Sequence, residues 1–137
     1  ELICQKSIDA GANSIRFSVE WADIEKTEGI YDKDAMQSYV NIAKTIRSKG
    51  LEPMVVLHHF VTPLDKEGRN VFESPESVDR FVNFATFVYQ HLKDDVSVFF
   101  TFNEPNVQSI GNYILGMFPM QEVARFSLCR KVMKHIN

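Results

Sequence analysis

Cysteine and long apolar runs are both scarce in this sequence. Cys4 and Cys129 are the two cysteines among 137 residues, too few and too far apart for a disulfide framework or a cysteine-based metal cluster. We expect both to be free thiols on helices. No stretch approaches the roughly 20 apolar residues that a membrane-spanning helix needs. The sequence therefore predicts a soluble protein that does not span a membrane.

Basic residues do not outnumber acidic ones. Lysine and arginine total 15 against 18 for aspartate and glutamate, a formal net charge of -3. This balance offers no basic surface to nucleic acid or to another polyanion, so neither is an expected partner. The residues that are present, 45% hydrophobic and 24% charged, are enough for one globular core without disorder. Residues 1–137 are interpreted as one domain or part of one.

Helix-like and strand-like segments alternate along the chain. In order, the pattern predicts a helix before Gly11, a strand over 13–21, a helix from Asp32 to Gly50, a strand over 51–57, a helix beginning at Ser74, a strand over 98–104 and a helix over 122–136. The strand centres are about 40 residues apart, against roughly 30 in a minimal repeating β/α unit. The alternation predicts an α/β protein with about three parallel β-strands and elaborated loops.

Three apolar sets are expected to be buried by this architecture, because they have helical spacing or fill a whole strand. They are Leu2, Ile3 and Ile8 in the first helix, then Val78, Phe81, Val82, Ala85, Val88 and Leu92 in the helix after Ser74, and Val98, Phe99, Phe100 and Phe102 in the last strand.

Polar side chains follow the predicted strands. The last strand stops at Asn103, Glu104 and Pro105, and the proline should turn the chain into a loop just as the carboxylate is presented. Glu104 has two interpretations: a solvated acid at a strand end, or an acid at the rim of a core, where desolvation raises its pKa into the range of a proton donor. Asn103 adds a neutral group that both donates and accepts.

Four segments in order resemble glycoside hydrolase family 1, the β-glucosidase and β-glycosidase family. They are SIRFSVEW at 14–21, EPMVVLHHF at 52–60 with Pro63 shortly after, TFNEPNV at 101–107 and YILGMFP at 113–119. An isolated Asn-Glu-Pro is shared with other barrel glycosidases, but four motifs at this spacing are specific. The resemblance implies a partial (β/α)8 TIM barrel that covers roughly units two to four.

The resemblance also implies roles for individual residues. Glu104 would be the general acid/base, Asn103 would bind the sugar 2-hydroxyl, and His59 would contact hydroxyls of the same sugar. Arg16 would orient the nucleophilic carboxylate, and His58 should point to the opposite face and pack there. A small-molecule β-glycoside is the implied substrate, and no metal or organic cofactor is implied, because two carboxylates suffice for the chemistry.

The sequence departs from the family pattern around the site. Asp23, Phe60 and Asn112 stand where most members have arginine, tryptophan and glycine, and residues 70–72 replace a common Gly-Gly-Trp. Met120 replaces the second of two prolines. The departures leave the sugar, the aglycone and a phosphate on the substrate unassigned.

The motif that supplies the second carboxylate is missing from this sequence, and retaining hydrolysis needs that group about 5 Å from the first. Glu20 is an unconvincing substitute. We therefore interpret the chain as a fragment holding the acid/base half of a retaining β-glycosidase, inactive by itself. The alternatives are a non-catalytic truncated remnant and part of another barrel glycosidase with an Asn-Glu-Pro motif. Unpaired edge strands and uncovered apolar positions at Val55, Leu57, Phe100 and Phe102 predict that the isolated chain associates with itself.

Overall fold

Three parallel strands alternate with helices in the computed structural model, which describes residues 2–118 and 123–136. The strands are β1 (Ser14–Ser18), β2 (Glu52–His58) and β3 (Val98–Phe102). The helices are α1 (Leu2–Asp9), α2 (Trp21–Ile24), α3 (Lys33–Ser48), α4 (Ser77–Leu92), α5 (Pro105–Tyr113) and α6 (Phe126–Ile136), with a 3₁₀ turn at Val71–Glu73. The predicted α/β class with three parallel strands is confirmed.

The sheet has the order β1-β2-β3, so the central strand is the second in the sequence. Arg16 pairs with Met54, and Val56 pairs with Phe100. The strands are parallel, so the carboxyl ends of all three lie at the same end of the sheet. Within the described residues, β1 and β3 each have a ladder on one side and a free edge on the other. The polar residues that follow the strands are therefore neighbours.

Local rules account well for α3. The Asp32 carboxylate accepts from the backbone N–H groups of Asp34 and Ala35, as an N-cap should. Gly50 follows the helix with φ of +78°, a conformation that glycine adopts without cost. The boundaries predicted from the sequence are confirmed, and α3 packs its buried face on β2 and α4.

The main core lies between β2 and the helices α3 and α4, and it contains a cluster of aromatic rings around Trp21. The Trp21 indole is fully buried and stacks on Phe84 with a centroid distance of 5.2 Å. Phe72 and Phe81 contact the same indole edge-on. A smaller cluster joins α1 to α3 through the buried Cys4, and Cys129 is buried on α6, so both cysteines are free thiols on helices as predicted.

A buried ion pair ties α2 to α4. Arg80 Nε donates to Glu25 Oε1 at 3.0 Å, and the Glu25 side chain is fully buried. The same carboxylate accepts from the Trp21 indole N–H and from the Gly29 amide. Because each carboxylate oxygen is occupied, the pair fixes the start of the loop that follows α2.

We expect Glu25→Ala to lower the free energy of unfolding by about 3–5 kcal/mol, because the substitution leaves a buried guanidinium unpaired. The exposed Lys26–Asp32 pair gives the control, since Lys26→Ala should cost far less than Glu25→Ala. Urea unfolding of both variants measures the difference. Equal costs would show that the buried pair has no special weight.

Several sequence predictions about burial and boundaries are wrong. Trp21 was expected to end the first strand, but it begins α2, because its indole turns into the aromatic core. On α1, Leu2 and Ile3 are largely exposed and Ile8 is exposed as well, whereas Cys4 is the buried residue. The contact between α1 and β1 decides which side of the helix is buried. The side that carries most of the apolar residues is not the buried one.

The burial predicted for β3 and α4 is also partly wrong. Phe100 is 40% exposed, and Val98, Phe99 and Phe102 are half-buried, because β3 is an edge strand of the described sheet. On α4 the buried row runs through Phe84, Val88 and Leu92, whereas Val78 and Val82 are exposed on the flank nearest the free edge of β3. That helix also begins at Ser77 rather than at Ser74.

The apolar positions expected to lack partners divide in the same way. Val55 and Leu57 are buried in the main core, so for them the expectation is wrong. Phe100 is exposed and Phe102 is half-buried against Phe81. Uncovered apolar surface therefore lies on β3 and not on β2. The predicted start of the last helix at Glu122, together with Pro119 and Met120, lies outside the described residues.

Candidate functional site at the carboxyl ends of the strands

The residues singled out at the strand ends meet across the sheet. Arg16 projects from β1 and its Nη2 donates to Asn103 Oδ1, beyond the end of β3, at 2.7 Å. Since the guanidinium has only donors, the amide must present its oxygen to Arg16 and keep its NH₂ group for another partner. The guanidinium also lies over the Phe100 ring, 5.1 Å from its centroid. One arginine thus spans the central strand and fixes the group before Glu104.

Glu104 occupies a sharp turn between strand and helix. The sequence predicted a loop after this residue, but α5 begins directly at Pro105, which takes the first helical position. Glu104 itself has φ of +45° and ψ of +56°, the left-handed region that costs a non-glycine residue about 1–2 kcal/mol. Its side chain makes no capping bond and is exposed. The carboxyl group is therefore presented outward by a strained backbone, as in the first of the two interpretations, a solvated acid at a strand end.

The two histidines at the end of β2 point in different directions. His59 is half-buried, and its Nδ1 lies 2.8 Å from Ser18 Oγ at the end of β1. His58 is buried among Trp21, Phe72 and Phe102, as its predicted packing role requires. His59 therefore lies with polar groups at the carboxyl ends of the strands, whereas His58 belongs to the core.

A cleft of about 510 Å³ adjoins His59. Its walls are mainly apolar, and the Phe60 ring packs on His59 at 5.0 Å and on Phe118 at 5.3 Å. Glu20 contributes a half-buried carboxyl, whose pKa is raised by burial, lowered in part by His59 and raised further by Asp23. The cleft thus places an acid and an imidazole beside aromatic surface.

Burial gives His58 a strong pH dependence. Desolvation, with a smaller repulsion from His59, lowers the pKa of His58 from 6.5 to about 4. In the unfolded chain the imidazole of His58 is protonated once the pH falls below its ordinary pKa of 6.5. In the folded chain it stays neutral until the pH approaches 4. Stability that is present above pH 6.5 is consequently lost as the pH falls toward 4.

We expect this histidine to account for about 3 kcal/mol of destabilisation between pH 7 and pH 4. His58→Phe should flatten that part of the stability profile, as measured by urea unfolding across the range. His91→Gln, at an exposed position of α4, should leave the slope unchanged. An unaltered slope in His58→Phe would contradict the assignment.

Some residues of the site carried no signal in the sequence. Gln108 lies buried on α5 and contacts the loop after His59, but it could be recognised only if the helix had been predicted to start at Pro105. Ser18 lies two residues after Arg16 at the end of β1, and its contact with His59 depends on the strand register.

The described part of the chain contains neither a membrane-spanning helix nor a cluster of metal-ligating side chains. No helix within residues 2–118 and 123–136 is long and apolar enough to cross a bilayer. In the same part of the chain, no three histidine, cysteine or acidic side chains come together as a metal site.

Comparison with known proteins gives consistent matches. The model of Glycosyl hydrolase family 1 matches residues 5–136. Beta-glucosidase 31 of Arabidopsis thaliana is 36% identical over 85% of the chain, and 6-phospho-beta-galactosidase of Streptococcus mutans is 34% identical over 80%. The crystal structure of a beta-glucosidase from Exiguobacterium marinum superposes with a TM-score of 0.89, at 27% identity, over 98% of this chain and 31% of that one. The chain spans 23% of the length of each of the two curated relatives.

Proposed function

The chain belongs to glycosyl hydrolase family 1, and from that membership we propose that it forms the acid/base part of a retaining β-glycosidase. Its fold is part of the (β/α)8 barrel of its structural relatives. The substrate would be a small-molecule β-glycoside, bound at the carboxyl ends of the strands, where such barrels hold their active sites. The observation that supports the proposal most directly is the bond between Arg16 and Asn103 beside Glu104.

Each side chain fits a step of the proposed reaction. Protonated Glu104 would donate its proton to the departing glycosidic oxygen and, as a carboxylate, would later activate water. Its exposed, outward position leaves space for the leaving group. The NH₂ group of Asn103, left available by Arg16, would donate to the sugar 2-hydroxyl. His59, fixed by Ser18, would bind other hydroxyls of the same sugar.

Arg16 would have two functions in this arrangement. One of its N–H groups holds Asn103, and its remaining donors can hold the nucleophilic carboxylate in its ionised form. We propose that this second carboxylate lies outside the 137 residues, because the motif that the resemblance requires for it has no counterpart in this sequence. A non-catalytic remnant is the alternative, and turnover by the full-length protein decides between the two.

The test of the proposed function uses Asn103→Ala in the full-length protein that contains this chain. We expect kcat/KM on an aryl β-glucoside to fall at least about 10-fold, the effect of one lost hydrogen bond. On the matching 2-deoxyglucoside, which lacks the partner hydroxyl, the fall should be far smaller.

Asn41→Ala on α3 provides the matched control, because Asn41 is exposed and far along the chain from the strand ends. Equal losses on both glycosides would contradict the role of Asn103. Failure of the wild-type protein to hydrolyse either glycoside would contradict the proposed function itself.

A further inference from the structure

The chain makes a strained turn directly after His59. The Val61 N–H donates to the His59 carbonyl at 2.9 Å, two residues back, and Phe60 between them has φ of +70°. A three-residue turn with this sign of φ is the rare and strained form of the γ-turn. Such a conformation persists only where surrounding groups hold it in place.

Gln108 is the side chain that holds this turn. Its Nε2 donates to the Phe60 carbonyl at 2.9 Å and to Thr62 Oγ1 at 3.1 Å. The Thr62 hydroxyl is in turn 2.9 Å from His58 Nε2. Gln108 is 2% exposed, so no water competes for these bonds. Gln108 therefore fixes the two residues on either side of His59, Phe60 directly and His58 through Thr62.

The backbone of Gln108 belongs to the turn that presents Glu104. Its amide N–H donates to the Glu104 carbonyl at 3.1 Å, one helical turn earlier. The same residue therefore contacts the strand-to-helix turn of the acid and the loop of the histidine. Gln108 therefore connects the position of Glu104 to the position of His59.

We infer that Gln108 is a positioning residue that keeps His59 oriented toward the sugar by holding the strained turn at Phe60. The inference rests on the proposed function for its catalytic consequence, but the structural part stands separately. Without the bond to its carbonyl, Phe60 should relax to a negative φ. The peptide after His59 would then rotate, and the imidazole would leave Ser18.

The experiment uses Gln108→Met in the full-length protein, a substitution that keeps the volume and removes the donor. We expect kcat/KM on an aryl β-glucoside to fall about 10- to 100-fold, as a displaced binding group costs. Because the effect passes through His59, the same substitution in a His59→Ala background should cost less than about 3-fold. Amide hydrogen exchange of the peptide that contains Val61 should become at least about 10-fold faster, in line with one lost hydrogen bond.

Gln37→Met on α3 supplies the matched control, because its Nε2 bonds Asn41 on an exposed face. It should change neither kinetics nor exchange at Val61. Unchanged exchange at Val61 in Gln108→Met would overturn the inference whatever the activity. Equal kinetic losses with and without His59 would overturn it too, whereas Glu104→Gln without any effect on activity would instead contradict the proposed function.

Discussion

Glu104→Gln should lower kcat/KM by about 10²- to 10⁴-fold on β-glycosides with poor leaving groups, the range that a general acid contributes. On activated aryl glycosides the same variant should lose less than about 10-fold, because a good leaving group departs without a proton. The amide of glutamine has the same shape as the carboxyl group, so the side chain at residue 104 should keep its exposed position after Asn103. Parallel assays with alkyl and nitrophenyl glycosides in the full-length protein measure the contrast.

Glu28→Gln provides the matched control, because Glu28 is an exposed acid of the loop between α2 and α3 and its pair with Lys66 is long. Its kinetics should equal those of the wild-type protein on both substrates. Similar losses of Glu104→Gln on both classes of glycoside would mean that Glu104 does not protonate the leaving group.

The 137-residue chain alone should show no detectable glycosidase turnover and should associate with itself. β1 and β3 each have a free edge within the described sheet, and unpaired N–H and C=O groups on an edge recruit other strands. Exposed apolar side chains extend this surface on β3 and α5, namely Phe100, Val107 and Ile110. Turnover should be absent independently of association, because we propose that the second carboxylate lies outside these residues.

Size-exclusion chromatography over a range of concentrations, with an activated aryl β-glucoside as substrate, tests both parts. Val82→Lys, at an exposed apolar position of α4 near the free edge of β3, should reduce the associated fraction. Glu28→Gln should leave that fraction unchanged. A folded monomer whose turnover disappears in Glu104→Gln would refute the prediction and place the second carboxylate inside these residues.

Local sequence rules predicted the three strands and the helices α1, α3, α4 and α6, but not α2, α5 or the sides that the helices bury. The Asp32 cap and the glycine after α3 act within a few residues, so the sequence is sufficient to locate that helix. The buried side of α4 depends on which elements lie beside it. Val78 and Val82 have the same apolar character as Val88 but face the open flank next to β3.

The candidate site shows the same division. The positions of His59 and Asn103 follow from parallel strands, because the residues after such strands meet at one end of the sheet. Arg16 lies inside β1 and reaches Asn103 with its side chain. Gln108 could not be found in this way, since its contacts depend on a helix that starts at Pro105 and on a turn with positive φ at Phe60. A positive φ contradicts the usual preference of Phe60, and a helix that starts at Pro105 places Glu104 in a left-handed conformation that is unusual for a residue before proline.

The left-handed backbone at Glu104 has a consequence for protein engineering. A selection for heat resistance alone favours glycine at residue 104, because glycine adopts positive φ without a steric penalty. Under the proposed acid/base role of Glu104, the thermostable survivors of such a screen would have exchanged the acid for a more relaxed backbone and would be inactive. Libraries aimed at durability should therefore keep the codon for Glu104 fixed and seek their gains at other positions, such as the exposed face of α4.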